Sequence, residues 1–252
     1  MTRIILSGCA GTMGRTITNI VAGRDDCRIV AGIDLNTPIG ADFPVFPTPS
    51  ECDVDADVII DFSVSSALSP LLDFAKAKQL PLVECTTGHS DAQVSKLKAA
   101  ASEIPLFFSG NMSLGINLLI GLCEKAAAVL GPSFDIEIVE KHHNQKVDAP
   151  SGTALMIANA IAGTLPDPPR YEYDRHSKRA KRGRGEIGIH AVRGGTIVGQ
   201  HEVIFAGHDE VVTISHSAQS KGVFAAGAVN AAVFMADKPP GLYDMGDVIK
   251  DA

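Results

Sequence analysis

Four side chains able to hold or hand over charge fall within seven residues: His142, His143, Lys146 and Asp148. Imidazole titrates near neutral pH, and lysine supplies a fixed positive charge. The stretch EKHHNQKVDAPSGTAL then runs through Pro150 into Ser151-Gly152-Thr153, at the head of an Ala/Leu/Ile-rich segment. A Ser-Gly-Thr turn at a helix N-terminus offers backbone N–H groups where the dipole favours an anion. The chemistry suggested is proton donation to a small, negatively charged molecule. A polar surface loop followed by an ordinary serine N-cap would use the same residue types, so the surrounding elements have to decide.

The first of those elements stands at the start of the chain. Residues 3–7 form a short β-like run, followed by GCAGTMGRTITNIV, in which Gly8, Gly11 and Gly14 recur every third position. Glycines after a strand and before a helix permit a tight turn and close approach of backbone to a pyrophosphate. The spacing is G-x-x-G-x-x-G, not the commoner G-x-G-x-x-G, so the context has to support it. A second apolar run, 27–33, ends in Asp34, twenty residues after Gly14. That is where an acid would grip a ribose 2′-hydroxyl.

Strand and helix then alternate. Strand-like runs are expected at 57–61, 81–84 and 104–109. A helix is expected over 63–80, and another starts from the capping box Ser90-Asp91-Ala92-Gln93. This pattern predicts an α/β fold, a Rossmann-type doubly wound parallel sheet with helices on both faces. Ligands on such sheets lie at the carboxyl ends of the strands. The residues there are Gly8 to Gly11, Asp34, Phe62-Ser63, Thr86-Thr87-Gly88 and Gly110-Asn111-Met112, all suited to a groove for a flat cofactor.

From Ser113 the pattern changes. A helix over 114–130, a strand over 134–139 and a helix over 153–165 precede a polar loop, 166–185. Strand-like runs at 187–192, 196–206 and 210–215 follow with short turns. They predict a second α+β domain with a mixed or antiparallel sheet. An Ala-rich helix over 221–235 and GLYDMGDVI close the chain and are expected to return to the first domain. The expected division is 1–110 with 219–252 for dinucleotide binding, and 111–218 for substrate binding and oligomerisation.

Composition narrows the function classes. The 252 residues carry 45% hydrophobic and 20% charged residues and a net charge of −7, a globular balance with no general affinity for nucleic acid. The basic run RHSKRAKRGRG has Tyr171 and Tyr173 near it and no further aromatic platform. It reads as a mobile loop beside an anionic substrate or cofactor phosphate. No run of about 18 apolar residues is apparent, so no membrane span is expected. MTRIILSG enters a strand directly, without a signal-peptide pattern. The five cysteines are scattered without metal-ligand spacing, so reduced thiols, a cytoplasmic location and no metal are expected.

Together these residues resemble one family over nearly the whole chain: 4-hydroxy-tetrahydrodipicolinate reductase, or dihydrodipicolinate reductase, of the diaminopimelate route to lysine. The markers are GCAGTMGR, DFS at 61–63, TTG at 86–88, NMSLGINLL, EKHHNQKVDAPSGTAL, IGIHAVRGGTIVGQHEV and GLYDMGDVI. The resemblance implies NADH or NADPH as cofactor, a small dicarboxylate substrate and a homotetramer. It implies His142 as general acid and Lys146 as second proton donor and carboxylate partner. His143, Ser151, Gly152 and Thr153 fall where the substrate is bound. Gly8, Gly11, Thr12, Met13 and Asp34 match the cofactor loop and ribose acid; Thr87, Gly88, Asn111 and Met112 match the wall around the nicotinamide.

The chain departs from the family pattern in places. Cys85 stands where a glycine usually precedes TTG, which would narrow the nicotinamide pocket or alter its sensitivity to oxidation. Lys221 replaces an arginine and loses the planar fork. Asp34 is followed by Leu35 and Asn36, without the neighbouring arginine of some NADPH users, so NADH is expected to serve at least as well as NADPH. Another Rossmann-fold reductase, or a nucleotide-sensing protein without catalysis, remains an alternative at this level.

Overall fold

The computed structural model describes residues 1–251. The chain divides into two compact units, Met1–Ser113 with the segment from Gly222 onward, and Leu114–Lys221. Elements are numbered along the chain.

The first segment holds β1 (Thr2–Ser7), α1 (Thr12–Val21), β2 (Cys27–Ile33), β3 (Val45–Phe46), β4 (Val58–Asp61), α2 (Leu68–Lys78), β5 (Leu82–Glu84), α3 (Asp91–Ala100) and β6 (Pro105–Phe108). All of these strands pair in parallel, and the order β6-β5-β4-β1-β2-β3 is that of a doubly wound sheet. Strand β1 shows why. Ile4 and Leu6 face one core with Ile17 and Val21, while Ile5 faces the other with Leu68, Leu71 and Leu97. A strand covered on both faces reads as an unbroken apolar run, and each such side chain contributes about 1.5–3 kcal/mol on burial. The capping box at α3 forms as expected, with the Gln93 amide on the Ser90 hydroxyl. The helix expected over 63–80 begins instead as a 3-10 turn, Ser65–Ala67, before α2.

The middle segment holds α4 (Leu114–Leu130), β7 (Asp135–His142), α5 (Gly152–Thr164), β8 (Arg170–Glu172), β9 (Glu186–Arg193), β10 (Gly199–Ala206) and β11 (Val211–Ala218). They build a five-stranded sheet of order β11-β10-β7-β9-β8. It is mixed: β7, β9 and β8 run parallel, while β10 is antiparallel to both β7 and β11. Leu119, Cys123 and Ala127 of α4 and Ile157 and Ile161 of α5 pack against Ile136, Ile138, Val203 and Phe205.

Leu114–Ser133 is long and apolar enough, by length and composition alone, to cross a membrane, a test that the core helix of a globular protein also passes; its Leu119, Cys123 and Ala127 are buried in this unit's core. One expectation about this segment is corrected. Four cations in and beside the basic run, expected to face an anionic ligand, instead neutralise the protein's own carboxylates. Arg182 pairs with Asp135 at 2.7 Å and Glu137 at 3.0 Å, and Arg175 with Glu137 and Glu186. Lys178 pairs with Glu172, and Arg170 with Glu186. Arg182 sits at the start of β7 and His142 at its end, about 23 Å away along an extended strand.

The last segment holds α6 (Gly222–Met235), β12 (Gly241–Tyr243) and α7 (Met245–Lys250). β12 adds to the first sheet in parallel beside β6, making seven strands.

Candidate active site

The polar stretch begins on a strand, not a loop: β7 carries its first three residues, Glu140 to His142. Along β7, Ile136, Ile138, Glu140 and His142 are buried in alternation, so Glu140 and His142 project from the same face. Glu140 is fully buried. Its Oε2 lies 2.6 Å from His142 Nδ1, and its Oε1 accepts from the Ser151 amide at 3.0 Å. Arg193, the register partner of His142 on β9, donates to Oε2 at 2.8 Å and to Oε1 at 2.7 Å. It also donates to the Asp148 carbonyl at 2.7 Å. Burial alone would raise the Glu140 carboxyl. The hydrogen bonds from Arg193, His142 and the Ser151 amide outweigh it and hold the group below the usual carboxylate range.

A carboxylate at Nδ1 keeps the proton there and leaves Nε2 as the nitrogen that faces a ligand. Gly199 of β10 lies opposite: a Cβ at that position would stand 3.2 Å from His142 Nε2. Beside it, the His201 ring meets the His142 ring edge-on, with centroids 5.3 Å apart. His201 Nε2 lies 3.1 Å from the Ser151 hydroxyl, which caps α5 by accepting from the Ala154 amide at 3.1 Å. Burial, reinforced by the charge on His142, pushes His201 down to about 4, so it is neutral at pH 7.

His143 and Lys146 follow on the loop into α5, which contains a cis Ala149–Pro150 peptide. The Lys146 amide donates to the His143 carbonyl at 3.2 Å, and Lys146 Nζ pairs with exposed Asp148 at 2.7 Å. Gly152, the first residue of α5, is exposed, with open space where a Cβ would stand. Thr153 follows it, half-buried. The structure thus brings His142, His143, Lys146, Ser151, Gly152 and Thr153 to one end of the second sheet, around a helix N-terminus that suits an anion.

In the first unit, the carboxyl ends of β1, β2 and β4 enclose a groove of about 540 Å³ lined by Gly8, Gly11, Asp34, Leu35, Phe62 and Ser63 among others. Gly8 has φ +77°, and a Cβ there would lie 2.5 Å from the Phe62 carbonyl. Only glycine fits this turn. A Cβ at Gly14 would meet the Gly8 carbonyl at 2.3 Å, so α1 approaches the strand because position 14 has no side chain. Asp34 accepts from the Ala10 amide and the Asn36 amide, each at 3.0 Å, which fixes the carboxylate at the groove. Thr12 opens α1 and is exposed, while Met13 packs against the core. Thr87 and Gly88 are exposed after β5, Gly88 with φ +81°. Asn111 accepts from the Ser113 amide at 2.8 Å, and Met112 is buried. Ser63 lines the groove, and its hydroxyl is buried behind it with no hydrogen-bond partner among the described residues. The glycine cradle and the fixed acid fit a pyridine dinucleotide.

The model of the family described as "Dihydrodipicolinate reductase, N-terminus" matches residues 2–112, and that described as "Dihydrodipicolinate reductase, C-terminus" matches 115–249. The chain belongs to the dihydrodipicolinate reductase family. A 4-hydroxy-tetrahydrodipicolinate reductase of Caldanaerobacter subterraneus subsp. tengcongensis is 52% identical over 250 residues, 99% of each chain. One from Clostridium novyi is 49% identical, again over 99% of each. Among solved structures, a dipicolinate-bound dihydrodipicolinate reductase from Paenisporosarcina sp. TG-14 superposes with a TM-score of 0.81 at 25% identity, over 97% of each chain. A probable dehydrogenase from Thermotoga maritima, TM-score 0.61 at 12% identity over 99% of this chain and 92% of that one, shares the fold.

Against the dihydrodipicolinate reductase pattern, Cys85 proves not to face the groove. It packs in the core with Cys9, Val83 and Phe107, and burial pushes its thiol well up, with Glu84 and Asp61 adding to the effect. A neutral, enclosed thiol is inert, so the expected narrowing and oxidation sensitivity are withdrawn. Sequence reasoning missed Glu140, Arg193, Gly199 and His201. Glu140 was legible as the i−2 partner of His142 once the strand was extended. Arg193 and His201 become visible only when β7 is placed between β9 and β10.

Proposed function

We propose that this chain reduces 4-hydroxy-tetrahydrodipicolinate to tetrahydrodipicolinate, with His142 delivering the proton. The observation that carries the reading is the Glu140–His142 contact, which orients Nε2 outward within a chain of this family. A bound NADH or NADPH supplies a hydride; the groove lined by Gly8, Gly11 and Asp34 would hold it, with Thr12 and Met13 starting the helix behind the phosphates. Thr87, Gly88, Asn111 and Met112 form the wall for the nicotinamide.

Proton transfer is the work of the protein's own groups. Glu140 keeps the Nδ1 proton on His142, so the ring donates from Nε2. Loss of the substrate's 4-hydroxyl as water leaves a conjugated cyclic imine; a hydride gained by that imine leaves electron density on the ring as an enamine, and a proton placed there completes the reduction, so one hydride and one proton are gained and one water is lost. Lys146 exchanges Asp148 for a substrate carboxylate and assists as second donor. His143, the Ser151–Gly152–Thr153 turn and the α5 dipole hold the carboxylates, each charge-assisted hydrogen bond contributing about 1.5–3 kcal/mol. Asp34 receives the ribose hydroxyls, which favours NADH or dual use. Assembly as a homotetramer belongs to the same proposal; half-buried Val139 and Ile204 on the second sheet's outer face support it. The deciding assay is oxidation of NADH and NADPH with substrate generated by the preceding synthase. A sugar or amino-acid dehydrogenase would be inactive there, and a nucleotide sensor would bind cofactor without turnover.

A further inference from the structure

One set of buried ionisable groups in the first unit has no part in the chemistry above. Asp61 ends β4, Glu84 ends β5, and the two are register partners in the parallel pairing. They are 1% and 0% exposed. Neither is paired with a lysine or arginine among the described residues. Asp61 accepts from the Ser63 amide at 3.2 Å and from the Thr86 hydroxyl at 2.8 Å. Glu84 Oε1 accepts from the Thr86 amide at 2.9 Å and lies 3.3 Å from His89 Nε2. Glu84 Oε2 and His89 Nδ1 are buried without partners.

Among the described residues no lysine or arginine stands within ion-pair distance of either carboxylate, and His89 beside Glu84 is the nearest group able to carry positive charge. The neighbour of Asp61 on β1 is Ser7, and the neighbour of Glu84 on β6 is Phe108. Between Glu84 and Thr86, Cys85 holds a neutral thiol. His89 is the remaining titratable group in contact. Two carboxylates side by side and out of water do not both stay ionised. Burial, and then the Asp61 charge, pushes Glu84 up to about 9. At neutral pH the pair therefore holds one proton. Its two members grip Thr86 at both amide and hydroxyl, and Thr86 leads directly into exposed Thr87 and Gly88.

We propose that Glu84 is a positioning residue for the cofactor: as a neutral acid beside the Asp61 carboxylate it fixes Thr86, and through it the Thr87–Gly88 wall. The inference rests on the reading of Thr87 and Gly88 as part of the nicotinamide site. Loss of that proton sets two negative charges against each other and separates the two anchors of Thr86. Cofactor affinity and proton retention are thereby linked, each strengthening the other.

The test is NADH binding to the full chain by fluorescence titration across pH, without substrate. Wild-type Kd should stay flat to about pH 8 and rise roughly three- to tenfold by about pH 10, within the tenfold per pH unit that one linked proton allows. Glu84→Gln keeps the shape and the Thr86 acceptor while remaining neutral. It should bind NADH as wild type does at about pH 7 and lose the alkaline rise. A flat wild-type profile, or an undiminished rise in Glu84→Gln, overturns the inference while NADH binding itself stands. Failure of wild type to bind either NADH or NADPH at any pH overturns the proposed function as well. Independently of any variant, difference infrared spectra of wild type should show a protonated carboxyl band that disappears in step with the loss of binding; its absence at neutral pH overturns the inference.

Discussion

Glu140 and His142 stand two residues apart on one strand, and the carboxylate that orients the imidazole is the same one that receives both terminal nitrogens of Arg193. Orientation of the proton donor and anchoring of the following loop are therefore one interaction. Glu140→Ala would leave the Arg193 guanidinium beside an empty buried site. Breaking one side of a buried pair costs about 3–5 kcal/mol. Urea unfolding should show a loss of that order, and a loss under about 1 kcal/mol would mean the network is held some other way.

His142→Ala should lower kcat by roughly 10²–10⁴-fold, the range for a positioned general acid, with native circular dichroism retained. Near-normal turnover in a folded variant removes His142 from the mechanism.

Gly199→Ala should act on the same atom from the other side. A methyl 3.2 Å from His142 Nε2 covers the donor, so kcat should fall while NADH affinity is unchanged. Equal kcat in the two proteins would show that the proton leaves by another path.

Lys146→Ala should cripple turnover, and Thr153→Val should mainly raise KM, because both meet the substrate's carboxylates. If neither change alters kinetics with the dicarboxylate, the anion site lies elsewhere.

Acid stability follows from His201. Its folded value of about 4 lies below the value near 6.5 of an unfolded histidine. Between the two, the unfolded chain holds a proton that the fold does not. Stability is therefore full above about pH 6.5 and falls as pH drops toward about 4. His201→Gln should flatten that decline in thermal melts, and a slope unchanged by the substitution would assign it to other groups.

Cofactor choice turns on Asp34. Its carboxylate suits the 2′-hydroxyl of NADH and opposes the 2′-phosphate of NADPH. NADH should be used at least as well as NADPH, and Leu35→Arg should shift preference toward NADPH. The measurement is kcat/KM for both at fixed ionic strength. A preference for NADPH of about tenfold, 1.4 kcal/mol, would instead assign the phosphate to Arg15. That residue donates to the Ala10 carbonyl at 2.6 Å, while Asp34 holds the Ala10 amide.

The strand–glycine–helix rhythm of the first unit was legible because its longer elements, such as β1, α1, β2 and α2, are long enough to show their period. Ile4 to Leu6, Gly8, Gly14 and the Ser90 capping box are local signals. Strands β3, β8 and β12 are two or three residues long and carry no period of their own; their neighbours' backbones define them. The His142 cluster was legible as chemistry but not as architecture. Its second layer comes from Arg193 and His201, about 50 and 60 residues further on, and only sheet register brings them near. The basic run misled for a related reason: charge is visible in sequence, but the Glu137, Glu172 and Glu186 that absorb it are scattered.

The first sheet also has a consequence for the order of synthesis. Ile4, Leu6 and Ile17 share their core with six side chains of α6, from Ala225 to Met235, and with Met245. A nascent chain thus makes half of that core first and its lid last, after the whole middle unit has emerged. Until then, apolar strands paired early stand open to water and to one another, the condition in which chains aggregate. The middle unit is contiguous and has no such wait. A chain halted before Gly222 should accordingly be sticky in its first half and orderly in its second.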